Sequence, residues 1–73
     1  MLKLTPTQRA KLATWGRAGI EGMVGQRNAH IFCRAHGLFG TPKTPMAVLG
    51  REWQMSRQRV HQVVLRTAER LGL

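Results

Sequence analysis

The most regular pattern of apolar and polar positions lies near the carboxyl end of the chain. Apolar or small residues recur there at i, i+3, i+4, i+7, i+8 and i+11, the spacing of one helix face: Val60, Val63, Val64, Thr67, Ala68 and Leu71. Ser56, a favoured N-cap residue, precedes this stripe, and Gly72 follows it. The pattern predicts an amphipathic helix that begins at Ser56 and ends near Leu71.

A shorter stripe precedes this helix and predicts another helix, from Pro45 or Met46 to Trp53. Its inward-facing residues are Met46, Leu49, Gly50 and Trp53. Since glycine is unfavourable inside a helix, we expect the next helix to cross close to Gly50. Gln54 and Met55 remain to form a turn. Residues 45–71 therefore predict a helix-turn-helix whose structural core is Leu49, Gly50, Trp53, Val60, Val63 and Val64.

The first predicted helix begins at Thr5, where Thr5-Pro6-Thr7-Gln8 fits a capping box with proline at the first helical position. We expect this helix to end near Arg17 or Ala18. Trp15 is interpreted as a core residue, and a stacking platform for bases is the alternative.

Three glycines then follow at a spacing of three, Gly19, Gly22 and Gly25. Because each interior glycine costs about 1 kcal/mol relative to alanine, this segment is either a loose connection or a weak, interrupted helix. In the second case Ile20, Met23 and Val24 can reach the core.

A further helix is predicted from Gln26 to His36, with Gly37 as its C′ residue. Its apolar face consists of Ala29, Phe32, Cys33 and His36. In the loop that follows, we expect Leu38 and Phe39 to contact the core and Thr44 to cap the next helix. The predicted fold is thus a single all-α domain, residues 1–73, of three to four short helices. In it residues 1–44 support a C-terminal helix-turn-helix at 45–71.

The net charge of the chain indicates what kind of partner the predicted domain binds. The 73 residues include 12 Lys+Arg and only 3 Asp+Glu, which gives a formal net charge of +9. Nine of the basic residues are arginines, whose planar fork suits phosphate and carboxylate. Since self-repulsion at this charge density opposes folding, we expect an anionic partner.

The first two turns of the last helix carry the candidate contacts to that partner. Arg57, Gln58, His61 and Gln62 cluster away from the apolar stripe, where arginine can grip guanine and glutamine can grip adenine. A solvated helix face is the alternative interpretation. The full set of candidate nucleic-acid or polymerase contacts is Arg57, Gln58, Arg59, His61, Gln62, Arg66, Lys43 and Arg51.

The sequence gives little support for a metal site or for catalysis. His30, Cys33 and His36 lie at i, i+3 and i+6 and spread over too wide an arc for one tetrahedral ion, so we expect neither a metal nor another cofactor. The acids are Glu21, Glu52 and Glu69, and no nucleophile–base pair or phosphate-binding glycine loop is apparent, so an enzyme is not expected.

The expected setting is the reducing cytoplasm, because the chain has a single cysteine and hence no internal disulfide. No apolar run approaches the length of a membrane span, and Met1-Leu2-Lys3-Leu4 leads into the first cap without the features of a signal peptide.

Residues 49–53, Leu-Gly-Arg-Glu-Trp, and residues 55–63, Met-Ser-Arg-Gln-Arg-Val-His-Gln-Val, resemble the helix-turn-helix in the fourth conserved region of bacterial primary sigma factors. The family pattern has a glycine after an aliphatic residue, an aromatic residue three positions later, a short turn, a Thr or Ser cap and then Arg-Glu-Arg-Ile-Arg-Gln-Ile. Ala68-Glu69-Arg70-Leu71 is similar to the Ala-Leu-x-x-Leu that follows, and Leu4-Thr5-Pro6 to the family's Leu-Thr-Pro.

The resemblance implies promoter reading by the second helix and contact of the preceding helices with the flap of the RNA polymerase β subunit. Arg57 and Gln62 keep the family's base-reading residues, whereas Gln58 replaces a Glu and His61 replaces an Arg. Loss of these readers should weaken promoter recognition, at about 1–3 kcal/mol per base pair.

No polymerase-clamp region precedes the matching segment, so we expect a solitary region-four-like domain. Such a domain looks like the small phage-encoded regulators that bind the polymerase of a bacterial host and inhibit initiation or modify termination. A DNA-binding repressor or activator, and a non-specific nucleic-acid binder, are the competing hypotheses.

Overall fold

Four helices account for most of the chain. A computed structural model describes residues 3–73, and its helices are α1 (Pro6–Val24), α2 (Gln26–His36), α3 (Met46–Trp53) and α4 (Arg57–Arg70). None of the residues from 3 to 73 lies in a β-strand, and the predicted all-α class is confirmed. The prediction that Met1-Leu2-Lys3-Leu4 is not a signal peptide falls partly on residues 1 and 2, which are outside the described range.

Helix α1 begins with the predicted capping box. The Thr5 hydroxyl accepts a hydrogen bond from the Gln8 backbone N–H at 3.2 Å, and the Thr5 N–H donates to Gln8 Oε1 at 2.9 Å. The helix is interrupted at Gly16, whose φ of 70° and ψ of 171° are not helical. Trp15, just before this break, is partly buried and packs against the core, as predicted.

The glycine-containing segment that follows is helical as far as Val24, so the predicted end near residues 17–18 was wrong. Of the two interpretations of this segment, the interrupted helix is the correct one. Ile20 and Val24, one turn apart, are buried, and this burial offsets the cost of the interior glycines. Met23 points to another side of the helix and is 40% exposed, so it does not reach the core.

Helix α2 is the central helix of the fold and contacts α1, α3 and α4. Its predicted apolar face, Ala29, Phe32, Cys33 and His36, is buried. Ile31 and Ala35 on the opposite side are buried as well, because α2 is covered from several directions. Gly37 ends the helix in the left-handed conformation, φ 65°, as predicted.

The loop after α2 departs from the prediction at two residues. Leu38 is buried as expected, but Phe39, whose φ of 55° is positive, is 43% exposed and does not reach the core. Thr44 does not cap α3, because its backbone N–H donates to Arg34 O at 2.8 Å and holds Thr44 against α2. Its hydroxyl donates to Pro42 O at 3.1 Å, and Pro45 occupies the N-cap position instead.

Helices α3 and α4 are joined by a tight turn. Gln54 adopts the left-handed conformation with φ 55°, and the Met55 N–H donates to Gly50 O at 2.7 Å. Ser56 caps α4 as predicted, since its hydroxyl accepts from the Arg59 N–H at 3.1 Å. A Cβ atom added to Gly50 would lie 2.5 Å from Met55 O. The expected close approach at Gly50 is confirmed, and the neighbour is the backbone of the turn.

The apolar stripe of α4 is buried throughout, as predicted: Val60, Val63, Val64, Thr67, Ala68 and Leu71. Trp53 is the exception among the six predicted core residues of the helix-turn-helix, with 37% of its surface exposed. Trp53 is the last residue of α3, and the buried residues of α3, Leu49 and Gly50, lie one turn earlier. The Trp53 ring therefore lies at the surface, edge-on to His30 with ring centroids 5.6 Å apart.

Candidate nucleic-acid interface

All eight residues predicted to contact nucleic acid or polymerase are exposed. Six of them lie on α4, whereas Arg51 lies on α3 and Lys43 in the loop before it. The apolar stripe of α4 determines the exposure of the six residues on that helix, because it fixes which side of the helix faces the core. The structure therefore presents the predicted residues to solvent, but it does not gather them into one site.

One side of α4 carries Arg57, Gln58 and His61 together with the exposed Leu65, and we call these four residues the reading face. At 3.6 residues per turn they fall within an arc of about 100°. Over the described residues, no intramolecular hydrogen bond involves the side chains of Arg57, Gln58 or His61. These polar groups are thus available to a partner.

The other side of α4 forms a cleft with the first turn of α2. This cleft has a volume of about 210 Å³, and we call it the arginine cleft. Its walls are Arg27 and Asn28 of α2 and Arg59, Gln62, Val63, Arg66, Thr67 and Arg70 of α4. The structure therefore brings together three of the predicted residues, Arg59, Gln62 and Arg66.

Sequence reasoning did not assign Arg27, Asn28 and Arg70, which also line the cleft, to a contact surface. The spacing of Arg59, Arg66 and Arg70, i, i+7 and i+11, places them within about 40° of arc and could have indicated a basic stripe. Arg27 had no such signal, because it reaches α4 only through the packing of α2 against it.

None of the three acidic residues lines this cleft. Glu21 forms an ion pair with Arg17, with 3.1 Å between Oε2 and Nε. Glu52 forms one with Arg34, and the hydrogen bond from Arg34 lowers the pKa of the Glu52 carboxyl. Within residues 3–73, none of the four arginines of the cleft forms an ion pair with a carboxylate. Positive charge is consequently concentrated there.

A second, more open cleft lies beside Trp53 at the junction of α1, α2 and α3. It is lined by Arg17, Glu21, Gln26, Arg27, His30 and Trp53. Arg17 bridges two of these residues, donating from Nε to Glu21 and from Nη2 to His30 Nδ1 at 3.1 Å. Because a guanidinium only donates hydrogen bonds, Nδ1 of His30 is the acceptor. Arg17 and His30 are therefore already engaged within the protein.

The histidines and Cys33 do not form a metal centre. Between residues 3 and 73, no three His, Cys, Asp or Glu side chains come together in a way that could hold a metal ion. Cys33 is fully buried, and burial raises the pKa of its thiol. His36 is buried against Phe32, and this burial, aided by Arg9 and Lys43, lowers its pKa to about 4. His36 is therefore neutral at pH 7.

The fold and this surface define a small all-α protein with a strongly basic face on its last helix. Comparison of the chain with protein-family models, with curated proteins and with solved structures found no match in any of the three. From residue 3 to the last residue, no helix combines the length and apolar character needed to cross a membrane.

Proposed function

We propose that this protein is a small transcription regulator that binds bacterial RNA polymerase through α3 and α4, used as a sigma-region-four-like helix-turn-helix. In this role it inhibits initiation or modifies termination in the cytoplasm of a bacterial host. The observation that carries the proposal is the motif at residues 49–63, which falls on α3, the turn and the start of α4.

Two local contacts support this use of the motif. Gly50 lets the turn approach α3 so closely that a side chain has no room, and Ser56 caps the helix that follows. The glycine and the cap of the sigma pattern thus have the physical roles that a short turn between two packed helices requires.

The reading face favours a polymerase-bound role over promoter reading alone. Gln58 and His61 stand where the sigma pattern has an acid and a fixed cation, so two base contacts are altered. Leu65 beside them is 37% exposed and offers apolar surface to a protein partner.

Co-elution on gel filtration with purified RNA polymerase, both core enzyme and holoenzyme, tests this proposal. Leu65→Gln should weaken co-elution, whereas Met23→Gln serves as the matched control, because Met23 is similarly exposed but lies on α1. Failure of the wild-type protein to co-elute with either form contradicts the proposal. Co-elution of Leu65→Gln that is as strong as that of Met23→Gln would exclude Leu65 from the contact.

A sequence-specific DNA-binding repressor or activator is the second candidate, favoured by the exposed and unbonded side chains of Arg57, Gln58 and His61. It predicts that Arg57→Ala relaxes specificity at one base pair, while Lys43→Ala weakens binding to every sequence alike. A selection from random duplexes that yields no preferred sequence excludes this candidate and leaves non-specific binding, which shows a steep salt dependence.

A further inference from the structure

The arginine cleft differs from the reading face in the kind of ligand that its side chains can bind. Its two walls come from parts of the chain far apart in sequence, Arg27 on α2 and Arg59, Arg66 and Arg70 on α4. Packing of α2 on α4 holds these four guanidinium groups around one opening. From this arrangement we infer that the cleft binds the phosphodiester backbone of a nucleic acid.

The distribution of charge favours an anionic ligand. Four cations around one opening repel one another, and this repulsion opposes the packing of α2 on α4. The chain has three acidic residues, two of which pair with Arg17 and Arg34, outside the cleft. The third, Glu69, is exposed on α4 and does not line the cleft. An anion from outside is thus the partner that these arginines lack.

The length of the arginine row favours a polyanion over a single small anion. Arg59 and Arg70 are eleven residues apart on α4, which corresponds to about 16 Å along the helix axis. Phosphates follow one another every ~3.4 Å along the axis of a nucleic-acid strand, so a row of this length can contact several of them. Arg27 adds a contact from the opposite wall.

The remaining lining residues favour phosphate over an acidic protein segment. Gln62 and Asn28 supply neutral amide groups beside the arginines, and Val63 is the apolar side chain of the lining. A protein segment binds mainly by burying apolar surface, and Val63 is itself only 9% exposed. Phosphate oxygens, in contrast, match the fork of arginine and need no apolar area.

The arginine cleft lies on a different side of α4 from the reading face. The centre of the arginine row and the centre of the reading face are separated by about 150° around α4, more than a third of a turn. The following experiment uses oligonucleotides without polymerase, so its outcome is distinct from that of the co-elution test.

The test compares two double variants that remove the same charge. Arg27→Gln with Arg66→Gln removes one cation from each wall of the cleft, and Lys3→Gln with Arg9→Gln removes two exposed cations elsewhere. Glutamine is about as good a helix former as arginine, so both variants should keep the wild-type circular dichroism spectrum. Binding is measured by fluorescence anisotropy with labelled mixed-sequence oligonucleotides of about 20 nucleotides, single-stranded and duplex, across a salt series.

The cleft variant should bind both oligonucleotides at least about tenfold more weakly than the control variant at low salt. The slope of log K against log salt should fall by about 1.4 for the single strand and about 1.8 for the duplex. A larger loss with one of the two oligonucleotides identifies which form the cleft takes. Arg27→Lys with Arg66→Lys keeps the charges and removes the forks, so this variant should keep the slope and still lose affinity.

Two results would overturn the inference. One is an equal loss of affinity and slope in the cleft variant and the control variant, which would show a general effect of net charge. The other is wild-type binding to polyglutamate of about the same length that is as tight as binding to the oligonucleotides, because a phosphodiester site discriminates against carboxylates on a flexible peptide.

Discussion

Gly50→Ala provides the sharpest test of how α3 meets α4. In an ordinary helix this substitution stabilises the protein by about 1 kcal/mol, because alanine restricts the unfolded chain and favours helix. At position 50 the added methyl group would lie 2.5 Å from Met55 O, whereas ordinary contacts of a Cβ atom begin near 3.4 Å. The substitution therefore requires a shift of about 0.9 Å between α3 and the turn.

The atom that obstructs the added methyl group, Met55 O, belongs to the backbone, so rotation of a side chain cannot relieve the contact. Met55 is fixed by the hydrogen bond from its N–H to Gly50 O, and Ser56, next in sequence, caps α4. Strain from overpacking a tight contact costs about 1–3 kcal/mol, and a fixed carbonyl corresponds to the upper end of this range. After the helix-propensity gain is subtracted, we expect a net destabilisation of about 2 kcal/mol.

Thermal unfolding followed by circular dichroism measures this effect, and Gly22→Ala is the matched control. Gly22 is also inside a helix but has open space where its Cβ would lie. In a domain of this size the control should unfold about 4–8 °C higher than wild type, and Gly50→Ala about 8–16 °C lower. If Gly50→Ala is as stable as Gly22→Ala, the close approach of the turn is not the reason for glycine at this position.

Three further predictions concern His36, the reading face and the cap of α4. Because burial lowers the pKa of His36 from 6.5 to about 4, the unfolded chain binds one more proton between these values. The contribution of His36 to the free energy of unfolding should therefore be complete above about pH 6.5. On acidification to pH 4 the free energy of unfolding should fall by up to about 3 kcal/mol. Urea unfolding measures this loss, which should be smaller in His36→Leu. Replacing Gln58 by Glu together with His61 by Arg restores the sigma-like readers and should strengthen binding to a duplex with the upstream promoter element by about tenfold over a scrambled duplex in anisotropy measurements; equal binding to both would count against sigma-like docking of α4. Ser56→Ala removes the cap of α4 and should cost about 1 kcal/mol in urea unfolding, whereas Thr44→Ala should cost clearly less, since Thr44 caps no helix.

Local sequence signals predicted the helices well where capping and periodicity agree. Thr5 and Ser56 begin helices as expected, and the stripe of α4 is buried over its whole length. These features depend on residues within about one or two turns of each other, so they can be read without the rest of the chain. The Thr44 cap failed for a reason outside that range, because its N–H is held by Arg34 of α2.

The same distinction between local signals and contacts of distant segments applies to the candidate site. The sequence indicated that the polar side chains of α4 face solvent, since the apolar stripe leaves them no other direction. It could not separate the reading face from the arginine cleft, because the cleft exists only where Arg27 of α2 meets α4. Trp53 was assigned to the core by its spacing, but it lies at the end of α3, beyond the buried turn, and is exposed.

By itself the amino-acid sequence determined the all-α class, the N-caps of α1 and α4, the buried face of α4 and the excess of positive charge. Each of these follows from composition or from side chains close together along one helix. Only the tertiary structure decided that the carbonyl of Met55 occupies the space beside Gly50, that His36 is buried and neutral, and that four arginines surround one cleft. These features require backbone and side chains from separate segments to meet, and that meeting depends on how the helices pack.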